Sequence, residues 1–313
     1  MRVIIFGLGS IGSRHARIIK KNFDANVYAF RSRKQKSANS LGIPEISSWK
    51  EVEKLKARVA YITNPTALHI ETALKCAKLG MHLFIEKPLS HRLKGIEGLA
   101  AVVKKKRLTC YTAYCLRFHP VIKKIKVLLN KKEVYHVRIC CSSYLPEWRK
   151  TFDIKRTYSS LKKKGGGVIL DLSHEFDYIE YLFGEITAMK GVFAKTGDVT
   201  LDSEDFADVF LKVKNRIPVN LHINFLSRIC ERSIKIDFKE GYLIGDLVRN
   251  LVLYRYRGKE EKFSFTFTDN DLFEAQASYF FRNLKNPWLM NNLNESRRLL
   301  RKILNFKKGR QND

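Results

Sequence analysis

Two short segments of the sequence carry side chains that can move protons. In Glu86-Lys87-Pro88, an ammonium group can polarise a hydroxyl group or share its proton. Further along, Asp171 and His174 place an imidazole near a carboxylate, which makes a tunable general base near neutral pH. Each has a plainer alternative: Lys87 as a surface lysine, and His174 as a hydrogen-bonded structural histidine. The surrounding segments therefore have to indicate whether Lys87 and His174 have a catalytic or a structural role.

A glycine-rich turn near the start of the chain is typical of phosphate binding. Residues 3–6 are apolar without alternation, which predicts a strand buried on both faces. The turn follows at once and leads into a helix expected from Ser13; it consists of Gly7, Leu8, Gly9, Ser10, Ile11 and Gly12. The glycines allow a tight turn and close approach of a pyrophosphate, which the first N–H groups of the helix then face.

The segment around Asp171 and His174 also begins with glycines. Gly165-Gly166-Gly167 opens a predicted helix on which Asp171, His174 and Tyr178 share one face. Earlier in the chain, Arg117 either faces an anionic group or forms an interdomain salt bridge, and the sequence leaves both open.

The elements that position these residues fall into two patterns. The first part of the chain alternates strand and helix, which predicts a parallel, doubly wound sheet that binds ligands beyond the carboxyl ends of its strands. Pro65 and Lys87 follow two such strands, at 59–63 and 82–85. Beyond Pro120, strands with period-two alternation predict a mostly antiparallel sheet. We therefore expect an α/β protein with a dinucleotide-binding domain over 1–118 and a second α/β domain over 119–313.

Composition excludes several classes of protein. The 313 residues are 45% hydrophobic, and no apolar run approaches the roughly 20 residues of a membrane span, so we expect a cytoplasmic protein without a membrane partner. The net charge of +28 is diffuse and favours an anionic substrate over nucleic acid. The six cysteines lack metal-ligand spacing, which predicts buried free thiols and no metal.

In this order, the motifs resemble the Gfo/Idh/MocA oxidoreductases over nearly the whole chain. They comprise the glycine turn, Thr63-Asn64-Pro65 with His69, Glu86-Lys87-Pro88, Arg117-Phe118-x-Pro120, and the segment from Gly165 to Gly184. The resemblance implies a Rossmann domain, a second domain whose sheet often builds dimers or tetramers, and hydride transfer between a nicotinamide cofactor and a sugar-type carbinol.

The resemblance also implies roles for individual residues. Lys87, Asp171 and His174 would act near the reacting hydroxyl group, and Asn64 and Pro65 would lie against the nicotinamide, with Thr63, His69 and Glu86 in the same cofactor site. Asp171 and His174 are three residues apart, where many members of the family have four. This spacing favours His174 as the base and leaves the role of Asp171 open. Lys87 and His174 can also exchange roles.

Further motifs resemble a branch of bacterial surface-sugar dehydrogenases. They place Trp148, Arg149 and Tyr158 with Arg117, Asp171 and His174 as candidate substrate contacts. For the cofactor, the second strand ends in Arg31-Ser32-Arg33 instead of the usual carboxylate, which favours NADP(H) over NAD(H). The rival hypotheses are a non-catalytic dinucleotide sensor of the same fold and, from charge alone, a nucleic-acid-binding protein.

Overall fold

The chain divides into two compact units in the computed structural model, which describes residues 1–31, 39–149, 165–197, 199, 201–214, 216–286 and 289–309. The first unit contains Met1–Tyr114 and Asp269–Leu300, and the second contains Cys115–Thr268 and Arg301–Asp313. The predicted division at 118/119 did not anticipate that residues 269–300 belong with the first unit.

The first unit is built on a parallel sheet of six strands among the described residues, in the order β3-β2-β1-β4-β5-β6. The strands are β1 (Arg2–Phe6), β2 (Asn26–Phe30), β3 (Glu45–Ile46), β4 (Val59–Ile62), β5 (His82–Ile85) and β6 (Cys110–Thr112). The helices between them are α1 (Ser10–Asn22), α2 (Trp49–Leu55), α3 (His69–Lys78) and α4 (Ile96–Lys105). Helix α1 begins three residues before its predicted start and includes Gly12. The predicted doubly wound parallel sheet is confirmed.

Burial of β1 explains why it lies at the centre of this sheet. Val3, Ile4 and Ile5 are fully buried, and β1 pairs in parallel with β2 on one side and β4 on the other. A strand covered by helices on both faces has no wet face, so its apolar residues need not alternate with polar ones. The carboxyl ends of β1, β4 and β5 therefore lie side by side and support the loops that follow them.

The second unit contains a mostly antiparallel sheet of eight strands in the described chain, as predicted. Its order is β14-β13-β12-β11-β7-β10-β9-β8, and only the β7–β10 pair among these is parallel. The strands are β7 (Val134–Ser142), β8 (Ile186–Ala194), β9 (Phe206–Val213), β10 (Ile217–Asn224), β11 (Glu231–Phe238), β12 (Gly241–Asp246), β13 (Leu251–Tyr256) and β14 (Lys259–Ser264). The helices of the later chain are α5 (Pro120–Leu128), α6 (Val168–Asp171), α7 (Ser173–Phe183), α8 (Asp269–Arg282) and α9 (Leu293–Lys307).

The predicted single helix after the glycine run is interrupted. Leu172 has φ −91° and ψ 30°, so α6 ends at Asp171 and α7 begins at Ser173. Asp and Ser favour helix ends over helix interiors because their side chains compete for backbone groups. Asp171, the last residue of α6, and His174, the second residue of α7, therefore lie on either side of a break.

Candidate dinucleotide site and catalytic residues

The glycine turn is closely packed at two positions and open at the third. Gly7 has φ +102°, and a Cβ there would lie 2.9 Å from the backbone of Asn64. A Cβ at Gly12 would overlap the carbonyl oxygen of Gly7. At Gly9, by contrast, no described atom lies within 4 Å of a Cβ position. The close packing of the fold therefore requires glycine at Gly7 and Gly12, whereas Gly9 leaves space for a ligand.

The start of α1 suits an anion. Gly9 is the N-cap and provides no capping side chain, and the first turn, with Ser10 and Ile11, contains no acidic residue. The first N–H groups of a helix have no partners within the helix, and the helix dipole favours negative charge there. These features fit the pyrophosphate of a dinucleotide.

The loop after β4 is tied to the glycine turn. Thr63 donates from Oγ1 to the carbonyl oxygen of Gly7 at 2.6 Å, and Asn64 donates from Nδ2 to Thr72 Oγ1 at 2.9 Å. Pro65 follows as an exposed residue at the start of a short 3₁₀ turn. Asn64 and Pro65 are thus held beside the glycine turn.

His69 joins this loop to the one that carries Lys87. Its ring is buried, with Nε2 at 2.9 Å from the carbonyl oxygen of Asn64 and Nδ1 at 3.0 Å from that of Pro88. Burial lowers the pKa of His69, although both carbonyl groups favour its protonated form. Because the buried ring contacts a carbonyl group of each loop, His69 ties the two loops together.

Lys87 lies directly after β5, in a turn whose Lys87–Pro88 peptide bond is cis. The preceding residue, Glu86, accepts a hydrogen bond at Oε2 from the backbone N–H of Lys87, at 3.2 Å. Its other oxygen, Oε1, lies 2.8 Å from Nε2 of His15 in α1. Sequence reasoning missed His15; the available signal was a lone histidine three residues after Gly12, on the buried face of α1.

A carboxylate of the neighbouring strand β3 lies beside the end of β2, which the linear sequence did not reveal. Arg31 pairs with Glu45 of the neighbouring strand β3, with Nη1 and Oε1 2.9 Å apart. Asn39 donates to the same oxygen at 2.8 Å, and these contacts lower the pKa of Glu45. Ser32 and Arg33, the other residues predicted to select the cofactor, lie outside the described residues.

In the second unit, a glycine turn precedes α6 and α7, the helices that contain Asp171 and His174. Gly167 has φ +106°, and a Cβ there would lie 2.5 Å from Glu204 Oε1. Glu204 accepts from the backbone N–H of Val168 through its carbonyl oxygen, and its carboxylate pairs with Lys307. Asp171 is 2% exposed and His174 is 9% exposed. Sequence reasoning missed Glu204, because the contact joins distant parts of the chain.

Arg117 is engaged by a carboxylate of its own unit. Its Nε and Nη2 donate to the two oxygens of Asp177 at 2.9 and 2.8 Å, and its guanidinium lies over the ring of Tyr181. This pair is buried and ties Arg117 to α7, and both residues belong to the second unit. The other predicted substrate contacts, Tyr158 and the side chains of Trp148 and Arg149, lie outside what the structure describes.

Two models of one protein family match the chain. Residues 1–114 match "Oxidoreductase family, NAD-binding Rossmann fold", and residues 124–244 match "GFO/IDH/MocA C-terminal domain". The chain belongs to the Gfo/Idh/MocA family. The predicted resemblance is confirmed, and with it the assignment of the chain as an oxidoreductase.

Among Gfo/Idh/MocA relatives with assigned activities, one matches most of the chain and another matches part of it. A myo-inositol 2-dehydrogenase of Thermotoga maritima is 26% identical over 91% of this chain and 88% of its own. A scyllo-inositol 2-dehydrogenase (NAD(+)) of Bacillus subtilis is 26% identical over 61% of this chain and 56% of its own. The catalytic hypothesis is therefore favoured over the non-catalytic sensor.

Solved structures of the family share the fold at lower identity. The UDP-N-acetylglucosamine 3-dehydrogenase GnnA of Acidithiobacillus ferrooxidans has a TM-score of 0.82 at 20% identity, covering 98% of this chain and 97% of that one. The WlbA dehydrogenase of Bordetella pertussis, in complex with NADH and UDP-GlcNAcA, has a TM-score of 0.80 at 16% identity, covering 99% and 95%. In the described parts of this Gfo/Idh/MocA chain, there is no group of potential metal ligands and no helix suited to cross a membrane.

Proposed function

We propose that this enzyme transfers a hydride between a nicotinamide dinucleotide and a carbinol carbon of a sugar, sugar phosphate or nucleotide sugar. The observation that carries the proposal is the link between Lys87 and the dinucleotide-binding elements. Glu86 and Pro88, its neighbours in the chain, are bonded to His15 of α1 and to His69 at the start of α3. A lysine held in this way is positioned for chemistry, unlike a solvated surface lysine.

The dinucleotide would be held by the first turn of α1, the open space at Gly9, and the loop with Asn64 and Pro65. When bound, it would supply the hydride acceptor or donor at C4 of its nicotinamide ring. The chain itself has to bind the substrate and move one proton, because hydride transfer from a carbinol also removes the hydroxyl proton.

We assign that proton to His174 in the oxidising direction, with Lys87 stabilising the negative charge that develops on the oxygen. The reverse assignment uses the same two groups. Asp171 lies at the end of α6, three residues before His174. It would orient or polarise the imidazole. Arg117 is committed to Asp177, so we assign it the placement of α7, and Trp148, Arg149 and Tyr158 remain the proposed substrate walls.

The substrate class rests on the relatives and on charge. Two relatives are named as inositol dehydrogenases, one neighbour is named as a UDP-N-acetylglucosamine dehydrogenase, and another was solved in complex with UDP-GlcNAcA. The net charge of +28 favours substrates that carry phosphate or carboxylate groups. We therefore favour an anionic sugar derivative, handled in the cytoplasm.

For the cofactor we propose NADP(H) over NAD(H), on the strength of Arg31, Ser32 and Arg33. Because Glu45 partly neutralises Arg31, the preference would rest largely on the two following residues. Tryptophan fluorescence titrations should give a Kd for NADPH at least about tenfold below that for NADH. Arg33→Gln should weaken NADPH binding alone, and Arg17→Gln, on the exposed face of α1, is the control. A preference for NADH would overturn this choice; binding of neither would overturn the dehydrogenase itself.

We also propose that the open face of the second unit's sheet joins two copies of the chain. Val192 and Phe210 are 63% and 61% exposed on that face, which also contains a depression of about 560 Å³. The same face carries the Asp208 carboxylate, 2.7 Å from His222, together with Lys235 and Arg138, and this mixture of charges suits self-association.

Light scattering should therefore give twice the 36.4 kDa mass of one chain. Phe210→Asp should shift it to the monomer, because a carboxylate would be buried without a partner. Val248→Asp, at an exposed apolar residue in a turn, should leave the mass unchanged. A monomeric wild-type protein at micromolar concentration would contradict this part of the proposal.

A further inference from the structure

His15 is a polar residue in a place where a phenylalanine would pack. Its side chain is fully buried, and its ring lies within 5.5 Å of three aromatic rings, measured between centroids. These rings belong to Tyr61, Phe84 and Phe273. An imidazole costs free energy to bury unless it is hydrogen-bonded. Packing alone therefore gives no reason for a histidine here, and the reason has to lie in its hydrogen bond.

That hydrogen bond ends at the residue before Lys87. His15 Nε2 lies 2.8 Å from Glu86 Oε1, and the glutamate side chain is only 12% exposed. Its second oxygen accepts from the backbone N–H of Lys87. Each oxygen of this nearly buried carboxylate thus has a hydrogen-bond partner, and these two contacts determine its position.

The tautomer follows from the surroundings. As the acceptor is a carboxylate, Nε2 has to carry the proton, and Nδ1 has no hydrogen-bond partner in the described part of the chain. His15 is therefore the donor in its contact with Glu86.

Helix α1 thus connects two parts of the proposed site: the dinucleotide-binding turn at its start and Glu86, which His15 contacts. Its first turn, at Ser10, faces the expected pyrophosphate, and His15 lies five residues later, about 7.5 Å along the helix axis. We propose that His15 is a positioning residue: by holding Glu86, it couples the helix that binds the dinucleotide to the placement of Lys87. This inference rests on the proposed function only in assigning Lys87 to the reaction.

Steady-state kinetics of two variants test the coupling. His15→Phe keeps the shape of the ring and removes the donor, so kcat should fall about tenfold or more while the dinucleotide Kd stays within about threefold. His15→Gln can still donate from its amide and should recover most of kcat. Glu86→Gln should cause no further loss in the His15→Phe background, because both changes break one contact. Arg17→Gln is the matched control on the same helix.

Hydrogen exchange at the Lys87 amide, followed by NMR, gives a measure that needs no substrate. In His15→Phe the released Glu86 should no longer protect this N–H, and its exchange should quicken about tenfold or more. Faster exchange in a protein that oxidises no sugar would support the coupling and refute the proposed function. Unchanged exchange and unchanged kcat in a folded His15→Phe variant would overturn the coupling itself.

Discussion

Replacing Lys87 or His174 with alanine should lower kcat about a hundredfold or more, while the dinucleotide still binds with its original affinity. Each variant removes a group that acts on the proton or on the charge of the reacting oxygen, and such groups contribute about 10² to 10⁴ in rate. Both interactions strengthen in the transition state, so the loss should fall on kcat more than on KM. Single-turnover absorbance at 340 nm in the presence of saturating dinucleotide measures the step directly.

Two matched controls separate this effect from general damage. Lys94→Ala removes an exposed lysine from the loop that follows the Lys87 turn, and His136→Ala removes a partly exposed histidine from β7. Both should retain nearly the full kcat. A kcat that is unchanged in both Lys87→Ala and His174→Ala would remove these residues from the mechanism.

The pH profile then distinguishes the two roles. A general base has to be unprotonated to act, so its removal should flatten the acidic limb of kcat/KM in the oxidising direction. If His174→Ala flattens that limb and Lys87→Ala lowers the whole profile, then His174 takes the proton. The opposite pattern assigns it to Lys87. Asp171→Asn should cause a smaller loss than either, since its proposed action passes through His174.

Local sequence was sufficient for the parts of the site that lie within one loop. The glycine turn, the Asn64-Pro65 loop and the Lys87-Pro88 turn each follow a buried strand directly. In a parallel sheet the carboxyl ends of neighbouring strands meet, so their nearness could be inferred without coordinates. The alternating strands of the second unit could also be predicted locally, because one face of each strand is buried and the apolar residues follow that face.

Contacts between distant residues were beyond that reasoning. His15 and Glu86 are 71 residues apart, and Arg117 and Asp177 are 60 apart. Nothing in the types of these residues says which of several carboxylates each cation will meet. The membership of residues 269–300 in the first unit was hidden likewise, since the apolar face of a helix such as α8 does not specify its partner.

The interruption of the helix at Leu172 shows a different limit of prediction from sequence. Helical spacing predicted one continuous helix through Asp171, His174 and Tyr178, whereas the helix is interrupted at Leu172, between an Asp and a Ser that favour helix ends. Residue type and motif identified the proposed catalytic residues, but the spacing did not reveal this interruption. Spacing arguments are therefore weakest where short polar residues cluster, which is also where sites tend to lie.

Glycine substitutions in the turn should separate folding from dinucleotide binding. In Gly12→Ala the new methyl group would overlap the carbonyl oxygen of Gly7 and lie 2.8 Å from Thr63 Oγ1, so the backbone has to move. We expect a loss of about 2–3 kcal/mol in the free energy of unfolding and at least about thirtyfold weaker dinucleotide binding. Denaturant unfolding and fluorescence titration measure the two effects.

Gly9→Ala should behave differently, because its methyl group meets no described atom within 4 Å. Its stability should change by less than about 1 kcal/mol, because the restricted unfolded chain offsets the poorer N-cap, whereas the space intended for the pyrophosphate is filled. Gly98→Ala in α4, which is equally open, controls for the added methyl group and should leave binding unchanged. Full dinucleotide affinity in Gly9→Ala would mean that the phosphates bind elsewhere, and the assignment of this turn would then be wrong even though the fold is correct.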